Sequence, residues 1–373
     1  MHNKINALRI TSITILTSLV LLFNGYSFKA LAHDESSATE HHEQKFNAGN
    51  LILDHIGDAH DWHIAGHFSI PLPVILYSPA GLDIFSSARF NHGHDDYTSD
   101  KTNLTYRLHE NKVVVVDSSG NIDESLTSAM YDLSITKNVA ALFFSAFLMC
   151  WIFISIAKSY TRNPGKAPKG MQSLLEPIII FLRDEVAITS IGKKHYKKFM
   201  PYLLTVFFLI FLNNLLGLVP IAPGGANLTG NIAITMSLAV FTFIITTVHG
   251  NRHYWRHIFA MPGAPVWVLF LLTPIEILGV FLKPFVLMVR LFANMTAGHI
   301  IALSFFSLIF IFGEIHFGAG IGLALFSTVF TVFMMVLELL VAFIQAYVFT
   351  LLSAVYFGSA VAEDHHHEEA HAH

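Results

Sequence analysis

Glu276, Arg290, Asn294, His299, Glu338 and Gln345 interrupt two long apolar stretches in the C-terminal third of the chain. Arg290 is the most demanding of them. It lies in an apolar run from about residue 266 to 312 whose other ionisable residues are Glu276, Lys283 and His299, more than twice the ~20 residues that cross a bilayer. An arginine at the centre of a membrane helix costs about 2.5–3.5 kcal/mol on insertion scales, so it calls for a partner and a task. Guanidinium stays charged and carries donors without an acceptor; it attracts a carboxylate but does not relay a proton. His299 and Glu338 suit that second job, because imidazole and carboxyl are the side chains that most readily exchange protons.

Placement of these groups depends on helical phase. Each residue advances about 100° around a helix, so Asn294, four residues after Arg290, shares its face. By the same count Glu276 falls within about 40° of that face, whereas His299 points to the opposite side. Glu338 and Gln345 are one heptad apart and nearly aligned. The apolar segments 264–312 and 320–361 are each too long for one perpendicular span; each is strongly tilted, kinked near Pro265, Pro274 and Pro284, or folded into two short passes. Two tilted helices forming a hairpin are the favoured reading. A turn near 315–317 then brings His299 level with Glu338, and Arg290 level with Gln345, to within about one helical turn of ~5.4 Å. The plainer reading of such polar residues is helix–helix glue, and it serves equally well for Asn213, Asn214, Thr273 and Ser304. It does not serve for Arg290, since helix association does not require so costly a charge.

The composition is that of a membrane protein: 53% hydrophobic residues, 33 Phe and only 13% charged, with a mean hydropathy of +0.55. The formal net charge of −4 averages unlike regions and says little about partners. Cys150 is the single cysteine, which excludes an intrachain disulfide and a cysteine-based metal cluster. Spans are expected at about 138–157, 199–219 and 232–248. Between the first two, nine cations (Lys158, Arg162, Lys166, Lys169, Arg183, Lys193, Lys194, Lys197 and Lys198) face Glu176, Asp184 and Glu185. That excess, with the basic stretch 251–257, places residues 158–198 and 250–262 inside and 220–230 outside. The turn at 313–320 then lies outside and the C-terminus inside. Leu174, Leu175, Ile178, Ile179 and Leu182 recur at helical spacing and predict an amphipathic interfacial helix.

Residues 1–32 read as a secretory signal, with Lys4 and Arg9, a short apolar core from Ile10 to Phe23, and the small-residue pattern Ala30-Leu31-Ala32. The competing reading is an uncleaved first membrane helix. Residues 33–135 are a His-rich extracytoplasmic extension with a strand-like piece, Lys112 to Asp117, closed by turn residues Ser118 to Asn121. Its histidines, among them His60, His63 and His67, lack one compact ligand spacing; structural or solubility roles and metal binding both remain readings of them. Residues 363–373 form a His/Glu-rich cytoplasmic tail.

At Leu282-Lys-Pro-Phe-Val-Leu-Met-Val-Arg-Leu-Phe-Ala-Asn-Met-Thr-Ala-Gly-His299 and Ile344-Gln-Ala-Tyr-Val-Phe349 the chain resembles subunit a of the F-type ATP synthase. Weaker similarity runs back through Phe211-Leu-Asn-Asn-Leu-Leu-Gly-Leu-Val-Pro220 to about residue 135; residues 1–134 lie outside it, and an extension of this kind is similar to those of Bacteroidetes-type bacteria. The resemblance implies an all-α polytopic membrane protein of about five transmembrane helices in residues 136–362, in a bacterial inner membrane. It implies that Arg290 is the essential arginine facing a rotating c-subunit ring, with Asn294 beside it and Gln345 opposite. His299 and Glu338 fall on positions where members carry an acidic residue and a histidine in either order, and Glu276 on an acidic position of the cytoplasmic half-channel. Gly217 departs from members that carry aspartate there, leaving Asn213 or Asn214 as candidates for the external entrance. Implied partners are the c-ring, b-type peripheral stalk subunits, other synthase subunits, lipid and protons. No cofactor, structural metal or nucleic acid is expected, and no nucleotide-binding loop is present. The rivals are a proton-coupled secondary transporter, which should show internal repeats, and a metal-handling membrane protein served by the His-rich ends.

Overall fold

A computed structural model describes residues 57–65, 68–109, 111–162, 164–219, 225–259, 261, 265–315 and 317–362. The expected signal (1–32) and the tail (363–373) lie outside them. The N-terminal extension, expected to hold a strand-like piece, is a small β domain. Strands β1 (Asp61–Ala65) and β2 (Phe68–Pro71) pair with each other, β3 (Pro73–Ser78) lies between β4 (Gly81–Ser86) and β8 (Tyr131–Asp132), and β6 (Thr105–His109) lies between β5 (Tyr97–Thr98) and β7 (Lys112–Val116). All the pairings are antiparallel. The expected strand at Lys112 is β7, closed by a turn in which Asp117 accepts hydrogen bonds from the amides of Ser119 and Asn121. Gly120 takes φ +83° there, a conformation a side chain would resist.

Alternation along β3 turns Val74 and Leu76 inward against Phe90, Tyr106, Val113 and Val115. Asp83 is buried in the same layer. Burial pushes its carboxyl up, but hydrogen bonds from Ser99 (2.5 Å), Thr102 (2.5 Å) and Tyr106 (2.7 Å) and the charge of Lys101 together hold it below the usual aspartate range. After the short helix α1 (Glu124–Ala129), capped by Asp123, the chain passes from β8 into α2 (Lys137–Arg162). The Lys137 amide donates to Ala59 O at 2.8 Å and the Asn138 amide to Asp58 Oδ1 at 3.1 Å, so α2 is capped by residues from the far end of the β domain.

The rest is mostly helical, with several long apolar helices. Helix α3 (Met171–Phe181) continues through a π turn (Leu182–Ile188) to Ile191. Leu182, Val186 and Ile191 belong to the main core, so its apolar face packs against protein. Helices α4 (Tyr196–Leu218) and α5 (Ile232–Val248) match the expected spans. The basic stretch after α5 is a helix, α6 (Arg252–Phe259), bent by 104° from α5 and capped by Asn251.

Two continuous helices, α7 (Val266–Ile315, 50 residues) and α8 (Phe317–Val361, 45 residues), form the hairpin. At 1.5 Å per residue α7 is roughly 75 Å long, against a hydrocarbon core of about 30 Å; it therefore tilts steeply or extends well past it. Among the described residues Lys137–Arg162, Tyr196–Leu218 and Val329–Val361 are long and apolar enough to cross a membrane, and there is a fourth if the bent pair α5–α6 counts as one span. The main core, with Leu203, Phe207, Leu287, Leu291, Phe349 and Phe357, lies where α4, α7 and α8 meet.

Candidate functional site

The hairpin separates two faces of α7. Leu287, Leu291 and Met295, spaced by four, are buried, while Arg290 and Asn294 are exposed among Val286, Val289, Ala293 and Ala297. Among the described residues Arg290 has neither a hydrogen bond nor an ion pair. The expected pairing with Gln345 is absent from the described contacts. Gln345 is buried, because it shares its side of α8 with Ala342, Ala346 and Phe349, which pack inward. Arg290 and Asn294 thus share one exposed face, as helical phase leads one to expect, while depth alone does not decide which face meets which.

His299, half-buried, lies one turn beyond Met295 on the same side of α7. A Cβ on Gly217 of α4 would meet His299 Nε2 at 3.8 Å and Met295 Cε at 3.7 Å in ordinary contact but press on Ala226 O at 3.3 Å, so the missing side chain makes room for the Ala226 carbonyl beside the imidazole. A Cβ on Gly298 would sit 3.3 Å from Glu338 Oε1. Glu338 therefore lies against the residue next to His299, near the level expected, and its Oε1 is buried with no hydrogen-bond partner among the described residues. Neither glycine had stood out as a determinant of geometry; the signal was a residue without a side chain beside a titratable group.

Asn214 is fully buried, accepting from Thr229 Oγ1 at 2.6 Å while its Nδ2 has no partner among the described residues. Asn213 donates to Leu209 O in its own helix at 2.7 Å. Thr273 and Ser304 bond to backbone carbonyls of Phe259 and Ile300, as structural roles require. Glu276 is half-buried on α7. Two turns on, Lys283 lies over the Tyr356 ring at 5.5 Å and lines a small pocket with Thr242, Thr246 and Tyr254. Among the described residues no three His, Cys, Asp or Glu side chains group as a metal site.

A family model described as ATP synthase A chain matches residues 139–358, and one described as a domain of unknown function matches residues 51–133. ATP synthase subunit a of Chloroherpeton thalassium is 42% identical over 249 residues, 65% of this chain and 71% of its own. ATP synthase subunit a 2 of Chlorobaculum tepidum is 44% identical over 249 residues, 65% of this chain and 68% of its own. ATP synthase subunit a of Myxococcus xanthus is 42% identical over 251 residues, 65% of this chain and 78% of its own.

Proposed function

Because the chain belongs to the ATP synthase A chain family, as an F-type subunit a, we propose that it moves protons through two offset half-channels past a rotating ring of carboxylate-bearing c subunits. Membership makes it a membrane component of the ATP synthase complex with a part in proton transport. The finer reading rests on Arg290. A guanidinium on an outward, apolar helix face, with no ion pair among the described residues of its own chain, needs an anion from another subunit. A ring carboxylate supplies it. The fixed charge of Arg290 draws that carboxylate into its ionised state and, having no proton to give up, blocks direct leakage between the two paths.

In this reading protons arrive from outside by way of Asn214, His299 and Glu338, ride the ring for most of a turn, and leave past Glu276. Asn294 flanks Arg290 on the ring-facing side, and Gln345 supports the hairpin from within. Asn213, tied to its own helix, is the weaker candidate for the entrance. Each charge carries about 2.3 kcal/mol per 100 mV of membrane potential. The chain crosses the bacterial inner membrane about five times, α7 included, with the mature N-terminus outside and the C-terminus inside. The exposed row Phe143, Phe147 and Trp151 on α2 is open to lipid and to the b-type peripheral stalk.

The test is ATP-driven proton pumping in inverted vesicles carrying Arg290→Ala or Arg290→Lys, at equal assembly. Both variants should lose coupled pumping. Full pumping by Arg290→Lys would refute the need for a forked, undissociable cation.

A further inference from the structure

The β domain is fixed to the membrane helices rather than tethered to them. Residues 58 and 59 bond to the first turn of α2, and Trp62, Ala141 of α2 and Ala226 form one buried apolar cluster. His60 and Trp62, two residues apart and both buried, lie on the same side of an extended chain. Ala226 is also the residue whose carbonyl approaches Gly217, and Gly217 abuts His299. From Trp62 to the imidazole there is therefore a continuous line of contacts through one backbone segment.

Along that line lie buried polar atoms with no hydrogen-bond partner among the described residues. At the seam between domain and helix these are His60 Nδ1, Thr136 Oγ1 and Asn138 Oδ1; deeper are Asn227 Nδ2 and Asn214 Nδ2. His60 is 4% exposed, Asn138 2% and Asn227 5%. A buried polar group left unpaired is strongly disfavoured, and proteins resolve the problem with ordered water. One such atom is a local matter, whereas several of them along one line of contacts call for water along that line. The charged groups at its outer end are Asp132 of β8, whose Oδ2 is 3.4 Å from His60 Nε2, with Asp58 and Lys137 across the seam.

We propose that the N-terminal β domain forms the outer mouth of the proton uptake path, with His60, Asp132, Thr136 and Asn138 lining a hydrated vestibule that leads beneath Trp62 and Ala226 to Asn227, Asn214 and His299. The ligand is water and the proton it carries. This rests on the half-channel reading and gives the domain of unknown function a part in it. Trp62 is a positioning residue: it closes the seam over Ala226 and keeps the vestibule narrow.

The test uses the assembled synthase in a Cys150→Ser background with Asn138→Cys, Asn227→Cys or Asn214→Cys. Silver ion and a membrane-impermeant methanethiosulfonate are applied to spheroplasts, and ATP-driven pumping is read afterwards in inverted vesicles. Asn138→Cys and Asn227→Cys should react from the external face, and reaction should abolish pumping. Adding Trp62→Ala should speed the reaction at Asn227→Cys several-fold. If Asn214→Cys reacts and stops pumping while Asn138→Cys and Asn227→Cys stay inert, or react without inhibition, water reaches His299 by another route: the vestibule is refuted and the half-channel stands. If Asn214→Cys is inert as well, the external half-channel itself fails. An unchanged rate in the Trp62→Ala background refutes the sealing role.

Discussion

Replacing Gly298 by alanine isolates the position of one carboxylate from the stability of the helices around it. Alanine is favoured over glycine in a helix interior by about 1 kcal/mol, so α7 itself gains. The new methyl carbon would stand 3.3 Å from Glu338 Oε1 and 3.8 and 3.9 Å from its Cγ and Cδ. The neighbour it crowds is the far end of a flexible side chain, which yields by a few tenths of an ångström without moving backbone. Folding and assembly should therefore be unchanged or slightly improved, while Glu338 is pushed away from the His299 side of α7. A misplacement of about 1 Å costs on the order of a hundredfold in a positioned reaction, so a few tenths should slow proton transfer by about three- to fivefold. Gly298→Val, with two further carbons beside the carboxylate, should lose more. The assay is ATP-driven pumping in inverted vesicles, normalised to assembled complex. If Gly298→Ala pumps at the wild-type rate in a complex of normal abundance, the Glu338 carboxylate does not act from the position the geometry gives it.

Gly358→Ala should behave in the opposite way. Its Cβ would overlap the carbonyl oxygen of Ser190, and backbone cannot yield cheaply, so docking of the segment after α3 onto α8 should lose about 1–3 kcal/mol, read as a lower melting temperature in detergent and less assembled complex. In the β domain, Asp83 has a folded-state carboxyl below the ordinary aspartate range, despite burial, because three side-chain hydroxyls donate to it. Its contribution is present above the unfolded-state value and disappears as pH falls through the folded one. Asp83→Asn should flatten the acid dependence of amide-exchange protection in β3 and β4, and an unchanged acid limb would show that another group controls it.

The helical hairpin was legible because two long apolar stretches with a glycine-rich break admit few other solutions, and polar residues on one helix obey a fixed phase. Arg290 and Asn294 share an outward face and His299 takes the other for that reason alone. The β domain was mostly not legible. Its strands are two to six residues long, prolines stand at 71, 73 and 79, and the histidines drew a metal reading away from the alternation in Pro73–Ser78. Pairings such as His60 with Asp132 join residues 72 positions apart, a relation that no local pattern encodes. The basic residues after α5 indicated a side of the membrane and hid a helix, because Lys and Arg vote on orientation whatever backbone carries them.

Gly217 and Gly298 are small residues in an unusual place, each beside a buried polar contact between helices. Long apolar helices already pack well, and a side chain at either position would improve ordinary burial. What it would also do is crowd Glu338 at one position and the Ala226 carbonyl beside His299 at the other, because helices that meet through bulky residues pack 8–10 Å apart. A glycine at each place gives up a little helix propensity so that the carboxylate and the Ala226 carbonyl can approach α7 and α4 directly. The resemblance drew attention to Gly217 as a missing aspartate. The geometry gives the absence a use: with no side chain there, the Ala226 carbonyl and the His299 ring share the same few ångströms of α4 surface. The β domain, whose Trp62 shares a buried cluster with Ala226, thereby reaches the surroundings of His299, although its own sequence carries no mark of membrane transport.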